Sequence, residues 1–180
     1  MKRTFDVIFS IMLLLLTLPL IAAAVLLTWA TSGSPVIFRQ QRAGLHGRIF
    51  TILKLRTMQD GKVTALGRWL RRTAIDELPQ LWNVLRGDMS IVGPRPLLAE
   101  YLPRYNATEV RRHEVRPGVT GWAQVHGRND LPWSDRFALD VWYVDHQSLW
   151  LDLKILLLTT VRLLQRSGSS DVIPEFRGHA

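Results

Sequence analysis

The first pattern along the chain is an uninterrupted run of apolar residues near its start. From Val7 to Trp29 the sequence carries no charged residue. As a helix rising about 1.5 Å per residue, this run would be about 34 Å long, enough to cross the hydrocarbon core of a bilayer. A cleaved signal peptide would have a shorter apolar region. The run therefore predicts a membrane-embedded helix, and a signal sequence is the alternative.

A proline and the flanking charges give this helix an unusual expected topology. Pro19 lies near the middle of the run, where it should kink or break the helix. Positive charge lies on both sides, with Lys2 before the run and Arg39 after it, so the positive-inside rule does not favour opposite sides for the two ends. We expect a re-entrant helix-break-helix hairpin over residues 1–31, broken at Leu18 and Pro19. A single-pass anchor with a tolerated proline is the alternative.

Two short segments rich in β-branched and aromatic residues follow, and they predict strands. They are "VIF" from Val36 and "IFTILKL" from Ile49, bounded by glycine and proline. Lys54 and Arg56 stand at alternate positions at the end of the second segment and should project from one face. That cationic face could bind phosphate. A solvated edge strand protected by charge would produce the same pattern.

The next stretch, "ALGRWLRRTAIDELPQLWNVLRG", has apolar residues at helical spacing. It predicts two helices that meet near "TAIDELP". Thr73, three residues before Asp76, resembles the start of a capping box. Pro79 fits the first turn if the second helix begins near Glu77.

Asp76 and Glu77 are adjacent carboxylates in this junction, and two explanations compete. Acidic residues at a helix N-terminus complement the helix dipole. That role does not account for the arginines expected to gather around the pair, which are Arg68, Arg71, Arg72, Arg86 and Arg95. Carboxylates ringed by guanidinium groups suit an anionic phosphate ester bound with a divalent cation. We prefer this second reading.

Composition limits the partner and the kind of metal site. The chain has 180 residues, 23 lysines and arginines against 15 acidic residues, and a formal net charge of +8. This charge indicates an anionic partner, such as nucleic acid, anionic lipid or a phosphorylated small molecule. The sequence has no cysteine, which excludes disulfides and zinc-thiolate sites.

The second half is rich in turns until its last helix. "GPRP" places Arg95 between two prolines, which should hold its backbone rigid. "RPGVTGWAQVHGRN" has neither the dinucleotide-binding nor the Walker glycine pattern, and Arg128 within it could meet a phosphate or a base. The stretch "LWLDLKILLLTTVRLLQRSG" predicts an interfacial amphipathic helix, with Asp152 near its start. We expect a flexible tail over residues 169–180.

These motifs together resemble one enzyme family. The order of the N-terminal hydrophobic hairpin, "KLRTM", "DELPQLWNVLRGDMSIVGPRP", "RPGVTGWAQVHGRN" and "LDLKILLLT" resembles the small monotopic phosphoglycosyl transferases, the PglC-type bacterial sugar transferases. The resemblance extends from about Lys2 to Gly168. It implies transfer of a phosphosugar from a UDP-sugar to undecaprenyl phosphate with release of UMP. It also implies Mg²⁺ and a re-entrant helix broken at a proline.

The resemblance also implies roles for particular residues. Asp76 would be the nucleophile that forms an aspartyl-phosphosugar intermediate, and Glu77 its partner in holding magnesium. Active-site positions of the family match Arg71, Arg95, Arg128 and Asp152. We expect the arginines, with Lys54 and Arg56, to contact phosphate or nucleotide, and Asp152 to orient groups in the site or to assist the metal.

The sequence departs from the family pattern in two places. Leu18 stands where the family commonly has serine before the membrane proline, so Thr17 is expected to help satisfy the broken backbone. The loop from Met58 to Leu66 is shorter than in many relatives, which weakens any inference about the sugar.

We expect an α+β protein on the cytoplasmic face of the bacterial inner membrane. Its catalytic domain, residues 32–168, would be a small mixed domain with short strands and interfacial helices. The expected partners are a UDP-sugar, undecaprenyl phosphate and membrane lipid, without nucleic acid. A membrane-anchored binding module and a structural membrane subunit are the competing hypotheses. The sequence does not predict the oligomeric state.

Overall fold

A computed structural model describes residues 1–127, 131–164, 175–176 and 178 of the chain. The fold is a mixed α+β arrangement with short strands, as predicted. It divides into two compact units. The first comprises residues 1–40 and 51–87, and the second comprises residues 41–50 and 88–180. Asp76 and Glu77 lie in the first unit, and Arg95 and Asp152 lie in the second.

The regular elements among the described residues are six helices and six short strands. The helices are α1 Lys2–Ser32, α2 Ala65–Thr73, α3 Gln80–Arg86, α4 Trp122–His126, α5 Trp133–His146 and α6 Leu149–Leu164. The strands are β1 Ile37–Ala43, β2 Ile49–Leu55, β3 Met58–Gln59, β4 Lys62–Val63, β5 Ser90–Val92 and β6 Gly118–Thr120. They pair as β1 with β2, β3 with β4, and β5 with β6.

Helix α1 is long and apolar, as the sequence predicts. Its most apolar 18-residue window has a mean hydropathy of 2.7 and is 11% buried, so by length and composition it could cross a membrane. Pro19 lies inside the helix, and helical turns are present on both sides of it. The hydroxyl of Thr17 donates to the carbonyl of Leu13 at 2.6 Å. The re-entrant topology stays a prediction.

Both ends of α1 are fixed to the rest of the first unit. Near its start, the Arg3 guanidinium donates to the carbonyls of Val84 at 2.5 Å and Leu85 at 2.9 Å, at the C-terminal end of α3. At its other end, Arg56 donates to the carbonyl of Gly33 at 2.7 Å and also to that of Ser32. The free carbonyls at a helix C-terminus carry partial negative charge, so a positively charged side chain stabilises them.

The buried residues of α1 also lie towards its two ends. Asp6 and Ser10 are buried near its start, and Ala24 and Thr28 are buried near its end. Residues 11–20 between them are exposed or half-buried. Ala24 packs in a core cluster that also contains Leu55, Leu70 and Ile75. Only the ends of α1 therefore contribute to the core.

The predicted strand pair is present, and an amide side chain connects it to α3. Strand β2 has the predicted bounds, whereas β1 extends further than the predicted "VIF". The fully buried Asn83 of α3 donates through Nδ2 to the carbonyl of Thr51 at 2.8 Å. Its Oδ1 accepts from the backbone N–H of Leu53 at 3.1 Å. Asn83 thus satisfies two backbone groups of β2.

The short loop after β2 contains a tight hairpin, which the sequence does not predict. Met58 pairs with Val63 and Gln59 pairs with Lys62 in antiparallel register. Asp60 and Gly61 connect the strands with positive φ angles of 50° and 75°. Two successive residues with positive φ are what a type I′ hairpin turn requires.

The second unit is built around a parallel strand pair. Ser90 aligns with Gly118, and Val92 aligns with Thr120. The hydroxyl oxygens of Thr120 and Thr159 of α6 are 2.7 Å apart. Helix α6 confirms the predicted C-terminal helix. The sequence reading gave no helix for α5, which has two charged residues, Arg136 and Asp140, among its buried positions.

The C-terminal tail is partly described. Residues 165–174, 177, 179 and 180 lie outside the described residues. Phe176 is only 3% exposed. It packs in an aromatic cluster of the second unit.

Candidate active site

The carboxylate pair lies in a short 3₁₀ turn between α2 and α3. Helix α2 ends because Ala74 takes a left-handed conformation with φ 58°, and its N–H donates back to the carbonyls of Leu70 and Arg71. A 3₁₀ turn over Ile75–Glu77 follows. Helix α3 begins at Gln80 after Pro79. The chain thus turns sharply at the two acidic residues.

The predicted capping box at Thr73 is wrong. The Thr73 hydroxyl donates to the carbonyls of Trp69 at 2.9 Å and Leu70 at 3.1 Å, within the last turn of α2. A hydroxyl that donates to a preceding carbonyl is not a cap of the following helix. The side-chain cap in this region is Thr64, which accepts from the backbone N–H of Gly67 at 2.9 Å at the start of α2.

Asp76 and Glu77 occupy different environments. Asp76 is 7% exposed, whereas the side chain of Glu77 is 19% exposed. Glu77 Oε1 accepts from Lys54 Nζ at 2.6 Å. The structure therefore brings together two residues that the sequence placed in the site from separate elements, β2 and the 3₁₀ turn.

Arg71 is held in the same unit by a contact with the segment after β2. Its Nε donates to the hydroxyl of Thr57 at 2.9 Å. The close approach of α2 to Thr57 requires glycine at position 67, one turn before Arg71. A Cβ on Gly67 would lie 2.1 Å from the Thr57 carbonyl oxygen. Close contact of α2 with the Thr57 backbone thus fixes the position of Arg71.

The other basic residues expected in the site lie in several places. Arg56 donates to carbonyls at the end of α1, as described above, and its role in substrate binding stays a prediction. Arg68 is exposed and donates to the carbonyl of Val63 at 3.3 Å. Arg72 and Arg86 are also exposed. Arg128 lies outside the described residues.

The carboxylate pair fits the ligand preferences of Mg²⁺. This ion favours oxygen and is commonly held by one or two carboxylates together with water and substrate phosphates. Asp76 and Glu77 supply two carboxylates within one 3₁₀ turn. Among the described residues, no group of three or more histidine, cysteine or acidic side chains could hold a metal ion. Two carboxylates therefore suit an ion that is also bound by the phosphates of a substrate. They suit a structural metal site, in which the protein supplies every ligand, less well.

In the second unit, Asp152 is a fully buried carboxylate with a tyrosine partner. The hydroxyl of Tyr143 donates to Asp152 Oδ1 at 2.6 Å, and the oxygen of this hydroxyl also lies 3.1 Å from the carbonyl oxygen of Val92. Helices α5 and α6 thus hold the acid at the end of β5. Tyr143 was not identified from the sequence, because a buried tyrosine has no distinctive spacing.

The loop that carries Arg95 is bound along its backbone. Its four successive carbonyls, from Pro94 to Leu97, accept hydrogen bonds from four different donors. The donors in order are Gly118 N at 2.9 Å, Arg112 Nη2 at 2.8 Å, Arg42 Nη1 at 3.3 Å and Ala43 N at 3.1 Å. The rigidity expected from the two prolines is therefore accompanied by backbone hydrogen bonds that hold the same loop.

Arg112, in the 3₁₀ turn over Glu109–His113, holds this loop from outside it and was not identified from the sequence. It is 2% exposed and forms a buried ion pair with Asp140, whose Oδ2 accepts from Nε at 3.1 Å and from Nη2 at 2.7 Å. Burial raises the pKa of Asp140, and the adjacent guanidinium acts in the opposite direction. Arg112 thus bridges the acid on α5 and the carbonyl of Arg95.

His113 lies beside this pair and is held neutral. Burial lowers its pKa to about 4, and the positive charge of Arg112 acts in the same direction. Its Nδ1 is 3.1 Å from the carbonyl oxygen of Gly44, which identifies Nδ1 as the protonated nitrogen of the neutral ring. His126 and His146 are exposed.

Comparison with known proteins places the chain in a family. The family model described as "Bacterial sugar transferase" matches residues 1–166. The chain is 50% identical over 93% of its length to a protein of Bacillus subtilis named uncharacterized sugar transferase EpsL, and the match covers 89% of that protein.

Two longer relatives have more specific names. One is an undecaprenyl-phosphate galactose phosphotransferase of Salmonella typhimurium, 38% identical over 94% of this chain and 41% of the relative. The other is a UDP-glucose:undecaprenyl-phosphate glucose-1-phosphate transferase of Xanthomonas campestris pv. campestris, 41% identical over 91% of this chain and 38% of the relative. The chain thus spans about two fifths of the length of these two proteins. With a family model that matches nearly its whole length, the chain belongs to the bacterial sugar transferase family.

Proposed function

We propose that the protein is a phosphoglycosyl transferase that moves a phosphosugar from a UDP-sugar to undecaprenyl phosphate and releases UMP. The names of the relatives support this donor and acceptor. The observation that carries the proposal is the buried Asp76, followed in the same 3₁₀ turn by Glu77, which pairs with Lys54. A carboxylate that is largely withdrawn from water, and adjacent in the chain to a second acid that is paired with a cation, suits attack on phosphorus.

The reaction proceeds in two displacements. A carboxylate oxygen of Asp76 attacks the β-phosphorus of the donor, and the bond from this phosphorus to the bridging oxygen breaks, so UMP leaves with the electron pair. In the second step a phosphate oxygen of undecaprenyl phosphate attacks the same phosphorus. The bond from Asp76 to phosphorus then breaks, which restores the carboxylate and gives undecaprenyl diphosphate sugar. No proton is gained or lost in the two displacements.

The remaining residues of the site stabilise charge and orient the donor. Arg71, Arg95 and Arg128 contact phosphate or nucleotide, and Lys54 and Arg56 add positive charge near the reacting groups. Lys54 also holds Glu77 in place. Asp152, fixed by Tyr143, orients groups in the site. Preorganised positive charge is usually the largest contribution to phosphoryl transfer.

Mg²⁺ is the proposed cofactor. Asp76 and Glu77 would hold the ion, and when bound it would offset the repulsion between these carboxylates and the phosphates of the donor. Glu77 would keep both carboxylate oxygens for the ion, whereas Asp76 would use one of its two oxygens in the bond to phosphorus.

Helix α1 is re-entrant in this proposal, with both ends on the cytoplasmic face. A straight helix from Arg3 to Ser32 would be about 44 Å long. The rest of the first unit has only about 45 residues, which would form a body about 24 Å across. Because both ends of α1 bind this body, a bend near Pro19 accounts for the contacts better than a straight helix does.

Helix α6 is interfacial in this proposal. Five of its exposed apolar residues form a stripe at spacings of three and four, namely Trp150, Leu153, Leu157, Val161 and Leu164. Leu151, Asp152 and Ile155 on the helix are buried. A helix with one face in the protein and another face apolar and exposed fits the boundary of a bilayer. The catalytic domain, residues 32–168, then lies on the cytoplasmic face of the bacterial inner membrane.

A donor panel tests the proposal. The full-length protein in nanodiscs is mixed with undecaprenyl phosphate, Mg²⁺ and one UDP-sugar at a time, including UDP-glucose and UDP-galactose, and UMP is measured. We expect at least one donor to give UMP, and we expect repeated turnover with that donor only when undecaprenyl phosphate is present. No release from any donor would favour a structural subunit. Anionic lipid binding that persists in D76N, without turnover in the wild type, would favour a binding module.

A further inference from the structure

The C-terminal segment places Phe176 in a box of four aromatic side chains. The box consists of Tyr101, Tyr105, Trp133 and Phe137, whose ring centroids lie 5.0 to 5.8 Å from that of Phe176. Distances of this size are typical of favourable aromatic pairs. Phe176 is 3% exposed, although the sequence predicts a flexible tail around it.

Polar contacts also hold the backbone of this segment. The N–H of Phe176 donates to the hydroxyl of Tyr101 at 3.3 Å, and its carbonyl accepts from Arg104. Arg104 also lies 3.4 Å from a carboxylate oxygen of Glu175, and its guanidinium is 5.2 Å from the centre of the Tyr101 ring. The ring therefore enters the box in a defined orientation, with both backbone groups of Phe176 bound.

Two of the four aromatic rings, those of Tyr105 and Phe137, also stack on Arg112. The Arg112 guanidinium lies 5.8 Å from the centre of the Tyr105 ring and 5.6 Å from that of Phe137. Phe176 contacts both rings, and it lies nearly parallel to Tyr105 at an angle of 20°. Burial raises the pKa of Tyr105, which agrees with a dry environment around these rings. Phe176 thus supports the two aromatic faces that position Arg112.

We propose that Phe176 is a positioning residue for Arg95, acting through the aromatic box and Arg112. Without Phe176, water reaches the box and the Tyr105 and Phe137 rings lose one of their packing partners. The Arg112–Asp140 pair then loosens, and with it the hydrogen bond from Arg112 to the Arg95 carbonyl. The inference rests on the proposed role of Arg95 in binding the nucleotide phosphates of the donor.

The test compares affinities for UDP in the presence of Mg²⁺, measured by calorimetry on full-length protein in nanodiscs. We expect F176A to weaken binding by about tenfold, within the range that small displacements of binding groups produce. F176L should bind more tightly than F176A, because it keeps part of the apolar volume. V125A is the matched control, since it removes buried side-chain volume from α4 of the same unit outside the box. It should lower the unfolding temperature without changing UDP affinity.

R95A, alone and combined with F176A, tests whether Phe176 acts through Arg95. If Phe176 acts through Arg95, R95A weakens UDP binding and adding F176A to it causes no further loss. Equal losses in the wild-type and R95A backgrounds would overturn this inference and leave the proposed function intact. So would a normal affinity in F176A, or the same loss in V125A. A normal affinity in R95A would instead contradict the assignment of Arg95 and, with it, this inference.

Discussion

Lys54 and Glu77 form an ion pair, with 2.6 Å between Nζ and Oε1, and Glu77 follows the buried Asp76 in the chain. Both side chains are less than one fifth exposed, so water only partly screens the pair. We expect K54M to reduce kcat/KM by about 30-fold, which corresponds to about 2 kcal/mol for a charged hydrogen bond. The rate of UMP release with the best donor measures this effect.

The charge-conserving variant K54R separates charge from geometry. It should recover part of the activity, because a cation near Glu77 is kept. R68A is a suitable control, since Arg68 is exposed and donates only to the Val63 carbonyl among the contacts described for it. Wild-type kinetics in K54M would show that the ion pair has no part in the reaction.

Gly67 is predicted to be essential to the packing of α2. In an exposed helix position, a change from glycine to alanine usually stabilises a protein. Here the added Cβ would lie 2.1 Å from the carbonyl oxygen of Thr57, so we expect G67A to destabilise the protein by about 1 to 3 kcal/mol. Thermal unfolding in nanodiscs measures the change. An increase in unfolding temperature would contradict the close approach of α2 to Thr57.

The lowered pKa of His113 predicts that the folded protein loses stability in mild acid. Its pKa is lowered to about 4 in the folded protein from its usual 6.5, so between these values the unfolded chain binds a proton that the folded protein does not. Stability should therefore fall as the pH drops from about 6.5 to 4, by up to about 3 kcal/mol from this group. Above about pH 6.5 this contribution is constant.

Comparison of two variants isolates the His113 contribution. H113Q keeps a donor for the Gly44 carbonyl and cannot titrate, so its unfolding temperature should change less between pH 7 and pH 4 than that of the wild type. H126Q alters an exposed histidine and should retain the full dependence on pH. Parallel curves for H113Q and the wild type would show that His113 is not responsible.

Single cysteines test the topology of α1, because the native chain has none. Thr4 and Ser34 are exposed beside the two ends of the helix. We expect T4C and S34C to react with an impermeant maleimide from the same side of the membrane. D60C, in the exposed turn of the β3–β4 hairpin, marks the side on which the first unit lies. Labelling of T4C and S34C from opposite sides would establish a single-pass helix.

The elements that could be predicted from sequence are those with regular local patterns. Helices α1, α2, α3 and α6 and strand β2 follow from apolar runs or periodicities. Helix α5 was missed because buried charged residues, including Arg136 and Asp140, interrupt its apolar pattern. The wrong cap at Thr73 followed from Ala74, whose left-handed conformation no local pattern reveals.

Parts of the site could be predicted, and others depended on tertiary contacts. Asp76, Glu77 and Lys54 were proposed as site residues from the sequence, and the structure brings Lys54 and Glu77 into contact. The roles of Tyr143 and Arg112 could not be, because they depend on partners brought together from other elements. Phe176 illustrates the same limit, since it packs against Tyr101, which is 75 residues away in sequence.

Intact-mass analysis detects the proposed aspartyl-phosphosugar intermediate itself. Full-length protein is incubated with Mg²⁺ and its UDP-sugar donor, without undecaprenyl phosphate, then quenched and weighed. We predict an increase equal to one phosphosugar, located on Asp76 by peptide mapping and absent in D76N. An unmodified mass in protein that is fully active once the acceptor is added, or an adduct that persists in D76N, would contradict the account.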